Sequence, residues 1–190
     1  MELKKLILFL LFFKSFLLFS QTPEEQRFLD TLKTGGLYII GKSMPDFKFH
    51  SITGDTYSGK KLKNKITFVN LWFEACAPCI AEMEPLNNLY TTFSKSKEFQ
   101  MLSVTFEKKG TILRIIKKYK IKYPQISTSQ DSCYIVNFRK GFPTNMIIDK
   151  KGKVAYFTFG GATDPDKAKE DFEKNIYPIV RKLLGKNDIL

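Results

Sequence analysis

The stretch ITFVNLWF at residues 66–73 runs into Cys76-Ala77-Pro78-Cys79, and this junction restricts the fold more than any other feature of the chain. Its β-branched and aromatic residues fall on both faces without alternating with polar ones, the pattern of a strand buried in the middle of a sheet. Residues 77–93 then carry Ile80, Met83, Leu86, Leu89 and Tyr90 at helical spacing, with Pro85 predicting a kink. A buried strand followed at once by a helix begins a βαβ unit.

The unit is completed by a second strand at residues 100–106 and a lysine-faced amphipathic helix at residues 111–119, whose apolar side is Ile112, Leu113, Ile115 and Ile116. A polar linker is expected after Tyr123-Pro124. Residues 144–148 and 154–159 then flank Asp149-Lys150-Lys151-Gly152, which predicts an antiparallel hairpin. Thr163-Asp164-Pro165 starts a last helix with Ala168, Phe172, Ile176, Ile179, Val180 and Leu183 facing inward. Ahead of the core, residues 37–40 and 47–52 read as short extended segments, with a turn at Gly54-Asp55 forming a small hairpin. The lysine-rich run GKKLKNK at residues 59–65 reads as a polar turn. With 190 residues in the chain there is room for one sizeable core, and the prediction is one α/β domain over residues 37–190. Its central mixed β-sheet should carry helices on both faces and an N-terminal β-hairpin extension.

The first 36 residues belong to something else. Residues 1–5 are short and basic, and residues 6–13 and 16–19 are apolar around Lys14, which reads as a signal peptide over residues 1–20 cut near Ser20. The alternative is an uncleaved membrane anchor, since Lys14 and Leu18 depart from the usual cleavage pattern. Residues 21–36 form a polar lead with a short helix around Phe28, Leu29 and Leu32, ending at Gly35-Gly36. The net charge of +12 raises the question of nucleic acid, but the lysines are scattered in ones and twos, which is the pattern of a solvated surface. No nucleic-acid partner is expected.

Two of the three cysteines form the CxxC pair, and its place at a helix start gives the spacing a chemical meaning. Unpaired amide groups and the macrodipole at a helix N-terminus favour an anion, which lowers the pKa of Cys76 and makes it the nucleophile. Cys79, one turn on, is placed to attack a mixed disulfide and close an intramolecular bond. A purely structural disulfide in an exported binding module is the bland alternative. Zinc or copper would need further ligands, and only Cys133 and His50 remain, so no metal is expected. His50 reads as an ordinary surface or half-buried residue. Cys133 reads as a small buried hydrophobe, with an unpaired reactive thiol as the alternative.

VNLWFEACAPCIAEM at residues 69–83, together with Gly141-Phe142-Pro143-Thr144, resembles the thioredoxin-like superfamily and most of all its TlpA/ResA-like group, of AhpC/TSA–redoxin domain type. The resemblance covers about residues 40–184. It implies an exported or membrane-tethered thiol-disulfide oxidoreductase of the periplasm or cell envelope, acting on disulfides of exported proteins such as apocytochrome c. It also implies a membrane thiol electron donor and no cofactor beyond the Cys76–Cys79 couple; a monomer is expected.

On this resemblance Pro143 matches the family's cis-proline, which shapes the substrate groove and frees the backbone of Phe142 to pair with an extended partner. Trp72 matches an earlier aromatic of the motif and is assigned to substrate contact. Glu82 matches the glutamate kept beneath the redox pair, a proton acceptor; a solvated helix carboxylate is the alternative. Thioredoxin places an aspartate where this chain has Asn70, which takes up no proton. Ala75 stands where relatives usually have Trp, which opens the rim of the site, and Glu74 is either a like charge near the thiolate or an exposed side chain. Ala77-Pro78 lacks the His of strongly oxidising relatives, so a reductant is expected. A peroxiredoxin-like peroxidase is the rival enzyme, sharing the fold and the early Pro45-Asp46-Phe47 element, but it needs Thr where this chain has Phe73.

Overall fold

The computed structural model describes residues 37–185, so the expected signal peptide and polar lead lie outside the described residues. Leu37–Ile39 is a single 3₁₀ turn rather than the extended segment expected there. The turn drives Ile39 completely into the core, and Gly41 then uses a φ of 82° to redirect the chain. Extended pairing begins only there: the Gly41 N–H donates to the Val154 carbonyl, and the Val154 N–H donates back to Lys42.

The small hairpin forms as expected from β1 (Lys48–His50) and β2 (Thr56–Ser58), paired antiparallel with Phe49 opposite Tyr57. His50 is exposed, its Nδ1 3.1 Å from the Thr56 hydroxyl. Within the lysine-rich run, Gly59–Leu62 makes one helical turn (α1), because Leu62 is apolar and anchors it by burial.

Strand β3 (Ile66–Trp72) buries all seven of its side chains, as its lack of polar alternation implies, with Thr67 and Asn70 as its buried polar members. The following helix is split into α2 (Ala77–Ala81) and α3 (Met83–Phe93). Pro85 has no N–H to give the Ala81 carbonyl, so the predicted kink falls at Glu82. Strand β4 (Phe99–Thr105) runs parallel to β3 and leads into α4 (Lys109–Tyr119).

The polar linker expected after Pro124 is instead a strand and a helix. Strand β5 (Gln125–Ser127) pairs parallel with β4, and α5 (Gln130–Val136) is capped by the Ser129 hydroxyl, which accepts from the Ser132 N–H. Three residues are too few for a period to show, and Gln125 is polar for a reason given below. Strands β6 (Thr144–Ile148) and β7 (Val154–Phe159) make the predicted hairpin and complete a sheet of order β5-β4-β3-β6-β7.

The last helix comes as α6 (Pro165–Asp171), a π-helical turn (Phe172–Ile176) and α7 (Tyr177–Leu183). Pro178 withholds the N–H that Lys174 would accept, and the Tyr177 N–H reaches back five residues to the Phe172 carbonyl. Phe172, Ile176 and Val180 all stay inward.

Helices cover both faces of the sheet. Val69 and Leu71 pack with Cys133 and Val136 of α5 on one side, whereas Ile66 and Phe68 pack with α3 and the C-terminal helices on the other. A third cluster forms at the end of β3 from Trp72, Cys76, Cys79 and Met83 with Ile112 and Ile115 of α4. The mixed sheet, the two helical layers and the hairpin extension agree with the predicted thioredoxin-like architecture.

Candidate active site

Cys76 is the last extended residue before α2, and its Sγ accepts the Cys79 N–H at 3.3 Å, so the sulfur itself caps the helix. The two cysteines form a disulfide, with an S–S distance of 2.02 Å and Cα atoms 5.2 Å apart. Cys76 is 5% exposed and Cys79 1%. The pair is therefore more enclosed than a freely accessible Cys76 would be, because Phe73 and Phe142 pack against its cluster. Cys76 is still the outer of the two sulfurs.

Pro143 follows a cis peptide bond from Phe142. Its carbonyl accepts the Gly160 N–H at 2.8 Å, which ties the loop after β7 across it. A side chain built on Gly161 of that loop would meet Glu82 Oε1 at 3.0 Å, Pro143 Cγ at 3.4 Å and Pro78 Cβ at 3.7 Å. Pro143, the CxxC proline and the Glu82 carboxylate therefore converge on one point, and a side chain at Gly161 would require the Glu82 carboxylate to give way.

Phe142 is half-buried, its ring edge-on to Phe73, Phe106 and Tyr134 at centroid separations of 5.4, 5.8 and 5.6 Å. Among the described residues its backbone N–H and carbonyl have no hydrogen-bond partner. Trp72 differs from expectation. It is wholly buried and gives its indole N–H to Gln125 Oε1 at 3.1 Å, so it forms the floor of the site and has no surface for a partner chain to touch. That bond is also why the first residue of β5 is a buried glutamine.

Glu82 is 3% exposed, a burial the sequence left open against a solvated position. Asn145 Nδ2 donates to both carboxylate oxygens, at 3.0 and 2.9 Å. Asn70 Nδ2 donates to Asn145 Oδ1 at 2.9 Å, and the Ser103 hydroxyl donates to Asn70 Oδ1 at 3.2 Å. The three residues are lateral neighbours, since Asn70 is in register with Ser103 on β4 and Asn145 on β6. Burial pushes the Glu82 carboxyl up to about 8, against the Asn145 hydrogen bond, which lowers it, and with a smaller upward push from Asp171. Ser103 and Asn145 were not identified from sequence. Asn145 had a signal: like Asn70, it is an amide side chain set in a predominantly apolar strand.

Glu74 does not face the thiols as an unpaired charge. It is ion-paired with Arg114 of α4, whose guanidinium holds its carboxyl below the usual range, and its own N–H donates to Glu107 at 2.9 Å. Cys133 is fully buried in the core, where desolvation pushes its thiol up to about 12.

The AhpC/TSA family model matches residues 40–157. The chain is 32% identical over 143 residues to the thiol-disulfide oxidoreductase ResA of a Bacillus cereus strain, covering 74% of this chain and 79% of the relative. To ResA of Geobacillus kaustophilus it is 28% identical over 141 residues, covering 74% and 78%. Among solved structures, a thiol:disulfide interchange protein of the thioredoxin family from Chlorobium tepidum TLS superposes with a TM-score of 0.59 at 22% identity, over 76% of this chain and 97% of that one. A thiol-disulfide oxidoreductase from Bacteroides fragilis does so with a TM-score of 0.56 at 24% identity, over 68% and 98%. With its CxxC disulfide at the end of the central strand, the chain belongs to the AhpC/TSA family and is a thiol-disulfide oxidoreductase of thioredoxin-like fold.

Proposed function

We propose that the protein is a dithiol reductant of the cell envelope that opens disulfides in exported proteins, apocytochrome c being one such class, and is itself re-reduced by a membrane thiol donor. The Cys76 thiolate attacks one sulfur of the client disulfide, forming a Cys76–client bond and expelling the other client sulfur as a thiolate, which takes a proton from water. The Cys79 thiol passes its proton to Glu82, and the resulting thiolate attacks Cys76 Sγ. The Cys76–Cys79 bond closes and the second client thiolate leaves. Two electrons have moved from the protein to the client.

The observation that carries this reading is the buried carboxylate three residues after Cys79. A thiol near 8.5 handing its proton to a carboxylate at the ordinary 4.5 goes uphill by about 5 kcal/mol, which would stall resolution. With Glu82 raised to about 8, the same transfer costs less than about 1 kcal/mol. The Cys79 N–H directed at Cys76 Sγ supports the nucleophile assignment. The unpartnered backbone of Phe142 beside cis-Pro143 supports an extended client segment pairing there.

A Cys79→Ser variant tests the proposal. Without the resolving thiol the mixed disulfide on Cys76 should persist in envelope extracts and identify the client; a variant that traps no protein, while the wild type reduces insulin normally, would refute the client reading.

A further inference from the structure

The Glu82 carboxylate is held by one group whose role the reaction above leaves unassigned. Asn145 spans both of its oxygens, and the amide has no freedom to turn. Its Oδ1 accepts from Asn70, so its Nδ2 must face Glu82; a flip would set a carbonyl oxygen against the carboxylate. Asn70 is fixed in the same way, because its Oδ1 accepts the Ser103 hydroxyl. Every bond in the row points the same way, with the donor end towards Glu82. An amide that offers only N–H groups stabilises the ionised carboxylate over the neutral acid.

We propose that Asn145 is a positioning residue of the thiol-disulfide reaction, a clamp oriented through Asn70 by Ser103 that fixes the Glu82 carboxylate in place and favours its ionised form against the burial that opposes it. The proposal rests on the reading of Glu82 as proton acceptor. Other groups face the same carboxylate. Asp171 of the C-terminal helix repels its charge, with its own carboxylate taken up by Asn175 at 2.6 Å. The hydroxyls of Tyr123 and Tyr156 are coupled to Glu82 electrostatically, and that of Tyr123 is turned to Met83 Sδ at 3.4 Å. None of these three is shown donating to the carboxylate, which leaves Asn145 as its hydrogen-bond donor among the described residues.

The test is an Asn145→Leu substitution, which keeps the volume and removes the donor, beside Ser103→Ala, which removes only the hydroxyl at the far end of the row. The Glu82 carboxyl is titrated in the oxidised protein through its carbon-13 shift, and the resolution step is followed against pH in single turnover with a small aromatic disulfide. In Asn145→Leu the Glu82 midpoint and the matching limb of the rate profile should both move to higher pH by about one pH unit, lowering the rate at pH 7 by about tenfold. In Ser103→Ala both should move the same way by roughly a third to a half as much.

A Glu82 midpoint that stays at its wild-type value in folded Asn145→Leu overturns the proposal. If that variant does not fold, an unmoved midpoint in Ser103→Ala overturns it instead. Glu82→Gln separates the two ideas: if it leaves the pH limb of the rate intact, the proton-acceptor reading falls and the positioning role with it. If it abolishes the limb while Asn145→Leu leaves the midpoint unmoved, the clamp alone falls.

Discussion

Replacing Glu82 by Gln should make the oxidised protein more stable, and only above about pH 4.5. The folded protein holds the Glu82 proton until about pH 8, whereas an unfolded chain releases it near 4.5. Below 4.5 both states are protonated and the favourable burial of the neutral acid is fully present. As pH rises from 4.5 to 8 the unfolded state sheds the proton first, and this stabilisation is lost until, above 8, the folded state carries a buried anion. The interval is about 3.5 pH units, which at 1.36 kcal/mol each amounts to about 5 kcal/mol. An ordinary domain has only about 5–15 kcal/mol in total, so the loss is large.

The disulfide form is the one to use, because Cys76 and Cys79 then do not titrate. The other displaced groups lie outside the window: Glu74 and Glu170 are held low, while the Cys133 thiol and the tyrosines are pushed higher than their ordinary values. Urea unfolding of the wild type and Glu82→Gln at half-unit intervals from pH 4 to pH 9 should give curves that diverge by about 1.4 kcal/mol per pH unit at most and run parallel above pH 8. Curves parallel across the whole range would refute the argument, since Glu82 would then be ionising at its ordinary pH despite its burial.

Three further outcomes follow from the packing. Gly161→Ala places a methyl group 3.0 Å from Glu82 Oε1 and should slow insulin reduction by about tenfold while leaving the fold intact by circular dichroism; an unchanged rate would show that the carboxylate gives way freely. Trp72→Phe leaves Gln125 Oε1 without its indole partner and should cost about 1–3 kcal/mol in urea unfolding, with the range of reduced clients unaltered, because no part of Trp72 reaches the surface. Cys133, buried with its thiol pushed up to about 12, should resist alkylation in the native protein and react only on unfolding; rapid native labelling would contradict its place in the core.

The parts of this molecule that sequence makes legible are those where one pattern dominates. Residues 66–72 read as a central strand because the run is short, rich in β-branched and aromatic residues and without polar alternation, and the CxxC pair follows directly at its end. Pro85 announces its kink for an equally local reason. Strand β5 escapes because its pattern is three residues long and one of its two buried positions is taken by Gln125, whose polarity is satisfied by Trp72, an indole 53 positions away in sequence. Trp72 misleads for the same reason: an aromatic in the motif reads as contact surface until its N–H is found turned inward.

Glu82 shows why the remainder of the site needs three dimensions. Spacing from Cys79 suggests the residue, but its chemistry depends on whether it is buried, and a lone glutamate on a helix is far more often solvated. What makes burial tolerable is the row of Ser103, Asn70 and Asn145, which come from three strands and meet only through sheet register. Each reads alone as a misplaced polar residue. Joined, they hold a carboxylate whose ionisation costs the fold stability over the same pH range in which it becomes able to take a thiol proton. A substitution that relieves the destabilisation by removing the charge should therefore remove the proton acceptor as well, and no neutral side chain at position 82 should recover stability at pH 9 while keeping wild-type resolution; one that did both would separate the burial of Glu82 from its chemistry.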